Sequence, residues 1–180
     1  MAQGNTRHRA STKLLDRLSP YDSVVLRLAL GVTFLAALTD RLGLWGPPGS
    51  PNVAWGNFER FAAYAATLNP WAPTALIPAI VWIVTVAETC LGCALILGFF
   101  TRWSAFWSGV LLLLFALGMT AGTGVKAALN ASVFSASAAA FALSTRHVYA
   151  WSVDALRERR STPHVAARPG HLTQGGKEDV

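Results

Sequence analysis

Four long apolar runs organise the chain, at residues 23–39, 72–100, 103–125 and, more weakly, 127–145. The hydrocarbon core of a bilayer takes about 20 apolar residues of helix, so each run is long enough or nearly long enough to cross it. With their flanks the spans are expected over 22–43, 74–99, 104–123 and 127–147. The first run is too long for the apolar core of a cleaved leader. It leads into Thr39-Asp40-Arg41 where a small-residue cleavage site would stand, so it reads as a retained span. Pro78 falls in the first turns of the second span, where its missing N–H does least harm. The fourth carries Ser132, Ser135, Ala136, Ser137, Ala138, Ala139 and Ala140, small side chains that let a neighbouring helix come close.

Between the first two spans the pattern changes. Trp45-Gly46-Pro47-Pro48-Gly49 opens this loop and Asn69-Pro70-Trp71 closes it. Asn57 is placed to cap a helix over 58–68, along which Phe58, Phe61, Ala65 and Leu68 form one stripe. Glu59 and Arg60 fall off that stripe, which predicts an amphipathic helix at the membrane surface or over the bundle mouth. The fold class is thus all-α: a four-transmembrane-helix bundle with a short amphipathic helix in the first outer loop. Residues 1–20 are expected as a basic cytoplasmic segment, 21–155 as the membrane domain, and 156–180 as a disordered basic cytoplasmic tail.

Composition agrees: 53% of residues are hydrophobic and 13% charged, the latter about half the share in ordinary globular domains. The net charge of +6 is unevenly placed. Arg7, Arg9, Lys13 and Arg17 precede the first span, Arg102 lies between spans two and three, and Arg146, Arg157, Arg159, Arg160, Arg168 and Lys177 follow the fourth. Only Arg60 and Lys126 fall on the other side. This is the positive-inside pattern, so the chain is expected in the plasma (inner) membrane with both termini cytoplasmic and its basic ends near anionic headgroups. Trp45, Trp55 and Trp71 fall at one boundary and Trp103, Trp107 and Trp151 at the other, as an aromatic belt requires. The basic clusters lack interleaved aromatics or a reader motif, which excludes nucleic acid as the partner.

The informative residues are the polar ones inside the spans. Arg27, Gly31, Phe34, Leu38 and Arg41 share one face of the first span, within about 40° of a line. On the second, Glu88 is followed one turn later by Gly92. An unpaired carboxylate at that depth costs at least about 2.5 kcal/mol, so Glu88 must be protonated, paired or beside a wet cavity. Judged by depth, Arg27 is its expected partner. Arg41, near the outer end, is expected to cap an outward-opening pocket to which Asn130 of the fourth span adds a hydrogen bond. The candidate ligand-binding set is therefore Arg27, Gly31, Arg41, Glu88, Gly92 and Asn130.

Cys90-Leu91-Gly92-Cys93 spells C-x-x-C but lies mid-helix, on the face opposite Glu88. Helical side chains at i and i+3 hold their Cβ atoms about 5–6 Å apart, against about 3.8 Å in a disulfide, and the pair lies away from the helix N-terminus or cation that gives redox C-x-x-C motifs their thiolate character. Cys90 and Cys93 are expected as buried structural thiols and not as a redox pair. His8, His147, His164 and His171 have no metal-ligand spacing, and no catalytic motif occurs. No catalytic or metal site is expected.

The same polar positions resemble those of DoxX-like membrane proteins. The likeness runs through Leu26-Arg27-Leu28-Ala29-Leu30-Gly31, a basic residue at 41, Glu88-x3-Gly92, Gly98, Thr101-Arg102, and Tyr149-x-Trp151-Ser152-Val153-Asp154. It covers about residues 22–155. The family's usual lysine in the first span is Arg41 here, which does not give up its proton as lysine can. The resemblance implies a four-span membrane subunit or accessory protein of a redox system linked to quinone, thiol or sulfur chemistry. No cofactor is evident from the residues themselves; a quinone headgroup is the ligand the pocket would suit, and redox subunits the partners. The alternative is a non-enzymatic module, either a small-solute or proton-linked carrier or a scaffold whose charges fix helix register.

Overall fold

The computed structural model describes residues 3–146 and 149–161. Among them there is no strand, and the helices are α1 (Gln3–Arg41), α2 (Phe58–Leu68), α3 (Ile77–Leu97, entered through a 3-10 turn at Thr74–Leu76), α4 (Thr101–Thr123), α5 (Val125–Asn130), α6 (Val133–Ser144) and α7 (Val153–Ser161). The basic segment expected as separate from the first span is, from Gln3 onward, helix continuous with it. Most of the expected tail, and His164 and His171 with it, lies outside the described residues, as does His147.

Among the described residues, three helices are long and apolar enough to cross a membrane: Tyr21–Arg41 of α1, Thr74–Leu97 and Thr101–Thr123. The fourth apolar segment is not the single helix its hydropathy suggests. It breaks between α5 and α6, where Ser132 takes φ 55°. Hydropathy cannot register that break, since Ala131 and Ser132 are neither glycine nor proline.

α1 packs along α3 and α4 along α6, and α3–α4 and α1–α6 contacts close the ring. Leu30, Phe34, Leu95, Ala105, Leu112, Ala140 and Leu143 form the core of this ring. Small residues set its two main crossings. A Cβ on Gly31 would lie 2.9 Å from the Gly92 carbonyl oxygen, and one on Gly92 3.2 Å from that of Gly31. The two antiparallel helices therefore touch backbone to backbone at this point. On the other side, Ser137 Oγ donates to the Gly109 carbonyl at 2.8 Å.

The bundle has two unlike ends. At the loop end, between α1 and α3, α2 is built as its sequence dictates: Asn57 Oδ1 accepts from the Arg60 N–H at 2.8 Å, and Phe61 and Ala65 are buried. These two pack with Ile77 and Val81 of α3 as a second apolar cluster. At the turn end, α3 stops at Gly98, whose φ of 67° closes the helix. The first N–H groups of α4 are met from far along the chain: Asp154 accepts from Phe100 N and Thr101 N at 3.0 and 2.7 Å. A carboxylate there also suits the positive end of the helix dipole.

Candidate functional site

The buried face of α3 reads Val81, Thr85, Glu88, Gly92 and Leu95, one residue per turn. Glu88 is 3% exposed, and Arg41, the last residue of α1, 2%. The two form an ion pair through Nη1 and Oε2. Nη1 also donates to Thr85 Oγ1 at 2.9 Å, while that hydroxyl donates onward to the Val81 carbonyl at 2.8 Å. One guanidinium edge is thus tied to two turns of α3.

Elements of the loop end complete the enclosure. The Phe61 ring of α2 lies 3.6 Å from Arg41 Cζ, and the Trp55 ring lies 5.4 Å away. Guanidinium over an aromatic face is favourable, more so away from water. Asp40 points elsewhere than Arg41, as neighbours on a helix must, and its Oδ2 accepts from Trp55 N at 2.8 Å. Trp55 therefore touches both charged residues, with its backbone on one and its indole over the other. Arg41 Nε and Asp40 Oδ1 are buried without a hydrogen-bond partner. The enclosed pair thus leaves a donor of Arg41 unsatisfied, and the neighbouring Asp40 leaves an acceptor.

Arg27 is not the partner of Glu88, and the depth argument fails for a geometric reason. Helical side chains lean toward the helix N-terminus. On α1 that leans Arg27 toward the turn end, while Glu88 on the antiparallel α3 leans toward the loop end, so the two diverge. The same rule turns Arg41 inward and brings it to Glu88. Arg27 instead donates three hydrogen bonds of 3.0 Å to backbone carbonyls, from Nε to Leu95, Nη1 to Ala150 and Nη2 to Trp151. It fastens the end of α3 and the chain that follows α6 to α1. A Cβ on Gly98 would lie 2.4 Å from Ser152 Cβ and 3.0 Å from Arg27 Cζ, so the clasp also needs a glycine at that turn.

Of the remaining candidates, Gly31 and Gly92 lie at the α1–α3 crossing, one turn from the Glu88 level. Asn130 is exposed at the end of α5 and joins no hydrogen bond of the cluster, contrary to expectation. Cys90 and Cys93 are unpaired, but they are exposed and not buried. In a ring of four rods the outward half of each helix faces the surroundings, and the face opposite Glu88 is that half. Asp40, Trp55, Phe61 and Thr85 are site residues the sequence did not single out. The aromatic stripe of α2 was legible, but its destination over Arg41 was not. Two shallow surface depressions, one beside Trp55, Arg60 and Tyr64 and one beside Leu97 and Leu156, do not reach Glu88.

No curated protein and no solved structure matches the chain. A family model described as "Methylamine utilisation protein MauE" matches residues 19–132. The match begins at the first span and ends at the Ser132 break, so it includes Arg27, Arg41 and Glu88 and leaves α6 and α7 outside. It covers more than half the chain and does not specify the DoxX-like proteins. With three apolar helices long enough to cross a bilayer, this chain is an integral membrane protein and belongs to the MauE family.

Proposed function

We propose that the protein is a membrane accessory subunit of a redox system, of the kind the family's methylamine-utilisation name points to. Its Arg41–Glu88 cluster would hold a small polar ligand beneath α2. The observation that carries this reading is the enclosed charge pair with the unsatisfied Arg41 Nε, beside the unsatisfied Oδ1 of Asp40. Ionisable groups inside spans more often serve function than packing. A quinone headgroup suits the cluster: a carbonyl oxygen for Nε, and the Trp55 and Phe61 rings for its faces. The likeness to DoxX-like proteins fits a shared four-span plan with both termini cytoplasmic, and redox subunits as partners.

A second reading is a scaffold in which the pair only fixes the register of α1 on α3. The burial of both charged residues favours it. Titration of the purified protein with a quinone analogue separates the two. The first reading expects saturable binding that is lost in Glu88→Leu and in the near-isosteric Glu88→Gln, with helicity unchanged. Equal binding by wild type and both variants, or no saturable binding by any, overturns the ligand site and leaves the scaffold.

A further inference from the structure

The turn end carries a second feature that the Arg41–Glu88 cluster does not use. Trp151 has φ 50°, a region strongly disfavoured for a bulky side chain, and the residue is 81% exposed. The backbone is held in that conformation from beneath, because Arg27 bonds the carbonyls of Ala150 and Trp151 at 3.0 Å. Local strain maintained by buried contacts is characteristic of presented functional residues. Beside the indole runs a shallow groove lined by Leu97, Trp151, Ser152, Val153, Ala155 and Leu156. Leu97 and Leu156 stand out into it, each more than half exposed.

The rim of the groove is basic. Arg157 follows Leu156 and lies over the Phe99 and Phe100 rings at 4.7 and 5.5 Å, which fixes its charge beside the apolar wall. Arg102 is exposed in the first turn of α4. Asp154 accepts from the N–H groups of Phe100 and Thr101, which holds the start of α7 against the start of α4 and brings the two arginines to the same end. An apolar trough, an indole at its edge and arginines at its mouth match the three layers of one molecule: acyl chain, glycerol level and charged phosphate.

We propose that this groove binds an anionic phospholipid, with its acyl chain along Leu97 and Leu156, its interfacial level at Trp151 and its phosphate drawn by Arg102 and Arg157. The site is separate from the Arg41–Glu88 cluster and does not depend on its function. The full chain in lipid nanodiscs tests it, with brominated phosphatidylglycerol or brominated phosphatidylcholine as quencher and the Trp151 signal taken as the difference between wild type and Trp151→Phe. The Trp151 signal is expected to be quenched at several-fold lower mole fraction of the brominated phosphatidylglycerol. That preference should fall about fivefold for each of Arg102→Gln and Arg157→Gln and persist in Arg157→Lys, given about 1 kcal/mol per cation near an anionic surface. Equal quenching by both lipids would mean an unselective annulus, and no quenching by either would mean that protein covers the indole. Either result overturns the proposal.

Discussion

Arg41 and Glu88 each cost free energy to bury, and each is tolerable only because the other is there. Removing one partner of such a pair typically costs about 3–5 kcal/mol, because it strands the other charge; replacing both with apolar residues is often close to neutral. Arg41→Leu and Glu88→Leu are therefore each expected to lower stability in detergent by that amount. The double variant should recover most of the loss, as read from thermal unfolding. Arg27→Leu combined with Glu88→Leu should instead be additive to within about 0.5 kcal/mol, since the two side chains share no partner. Coupling between residues 27 and 88 as large as that between 41 and 88 would refute the assignment. Beyond the spans, Tyr149 donates to the Leu143 carbonyl at 3.2 Å, and burial raises its phenol pKa, aided by Asp154 and opposed by Arg102. A raised folded-state pKa favours the protonated form. Its contribution is complete below the unfolded value near pH 10 and is lost as pH rises through the folded one. Alkaline titration of stability should show this step in wild type and not in Tyr149→Phe.

At the scale of elements, the α1–α3 crossing is the most sensitive packing contact. A methyl group on Gly31 would lie 2.6 Å from Ile96 Cγ1 and 2.9 Å from the Gly92 carbonyl oxygen, so only one of the two obstacles can rotate away. Gly31→Ala is expected to cost about 1–3 kcal/mol, the usual range for overpacking, and to weaken the Arg41–Glu88 pair by spreading the helices. Unchanged stability in the same unfolding assay would mean that the crossing is looser than described. What could be foreseen of these elements divides by the range of the interaction. The Asn57 cap and the Phe58–Leu68 helix were legible because a cap and a stripe are set within a few residues. The face shared by Arg27, Gly31 and Arg41 was legible for the same reason. The partners of those arginines were not. Depth along the membrane ignores the lean of Cβ, and the carbonyls that take up Arg27 belong to backbone at residues 95, 150 and 151, invisible to a search for opposite charges. The Ser132 break and the exposure of Cys90 and Cys93 escaped as well, since hydropathy reports neither φ nor which half of an apolar helix faces its neighbours.

At the scale of the whole molecule, the number of crossings turns on residues 125–144. α6 alone, Val133–Ser144, is too short to span, but 125–144 together would rise about 30 Å, the thickness of a hydrocarbon core. Backbone groups must stay bonded at that depth. Around the break Ala131 N reaches Ala127 O at 3.0 Å, Ser132 N reaches Leu129 O at 3.0 Å and Ala136 N reaches Ser132 O at 3.0 Å. The stronger constraint is Asp154. α4 leaves the turn end at Thr101 and reaches the loop end by Thr123, yet Asp154 bonds the N–H groups of Phe100 and Thr101. Between those points the chain must return along the length of the bundle, whether as one rod or as two pieces. Reporter fusions after residue 103 and after residue 157 are therefore expected on the same side, with one in the loop after Leu44 on the other. Fusions after 103 and 157 that report opposite sides would require the fourth segment to turn back within the membrane, which the Asp154 contacts do not permit.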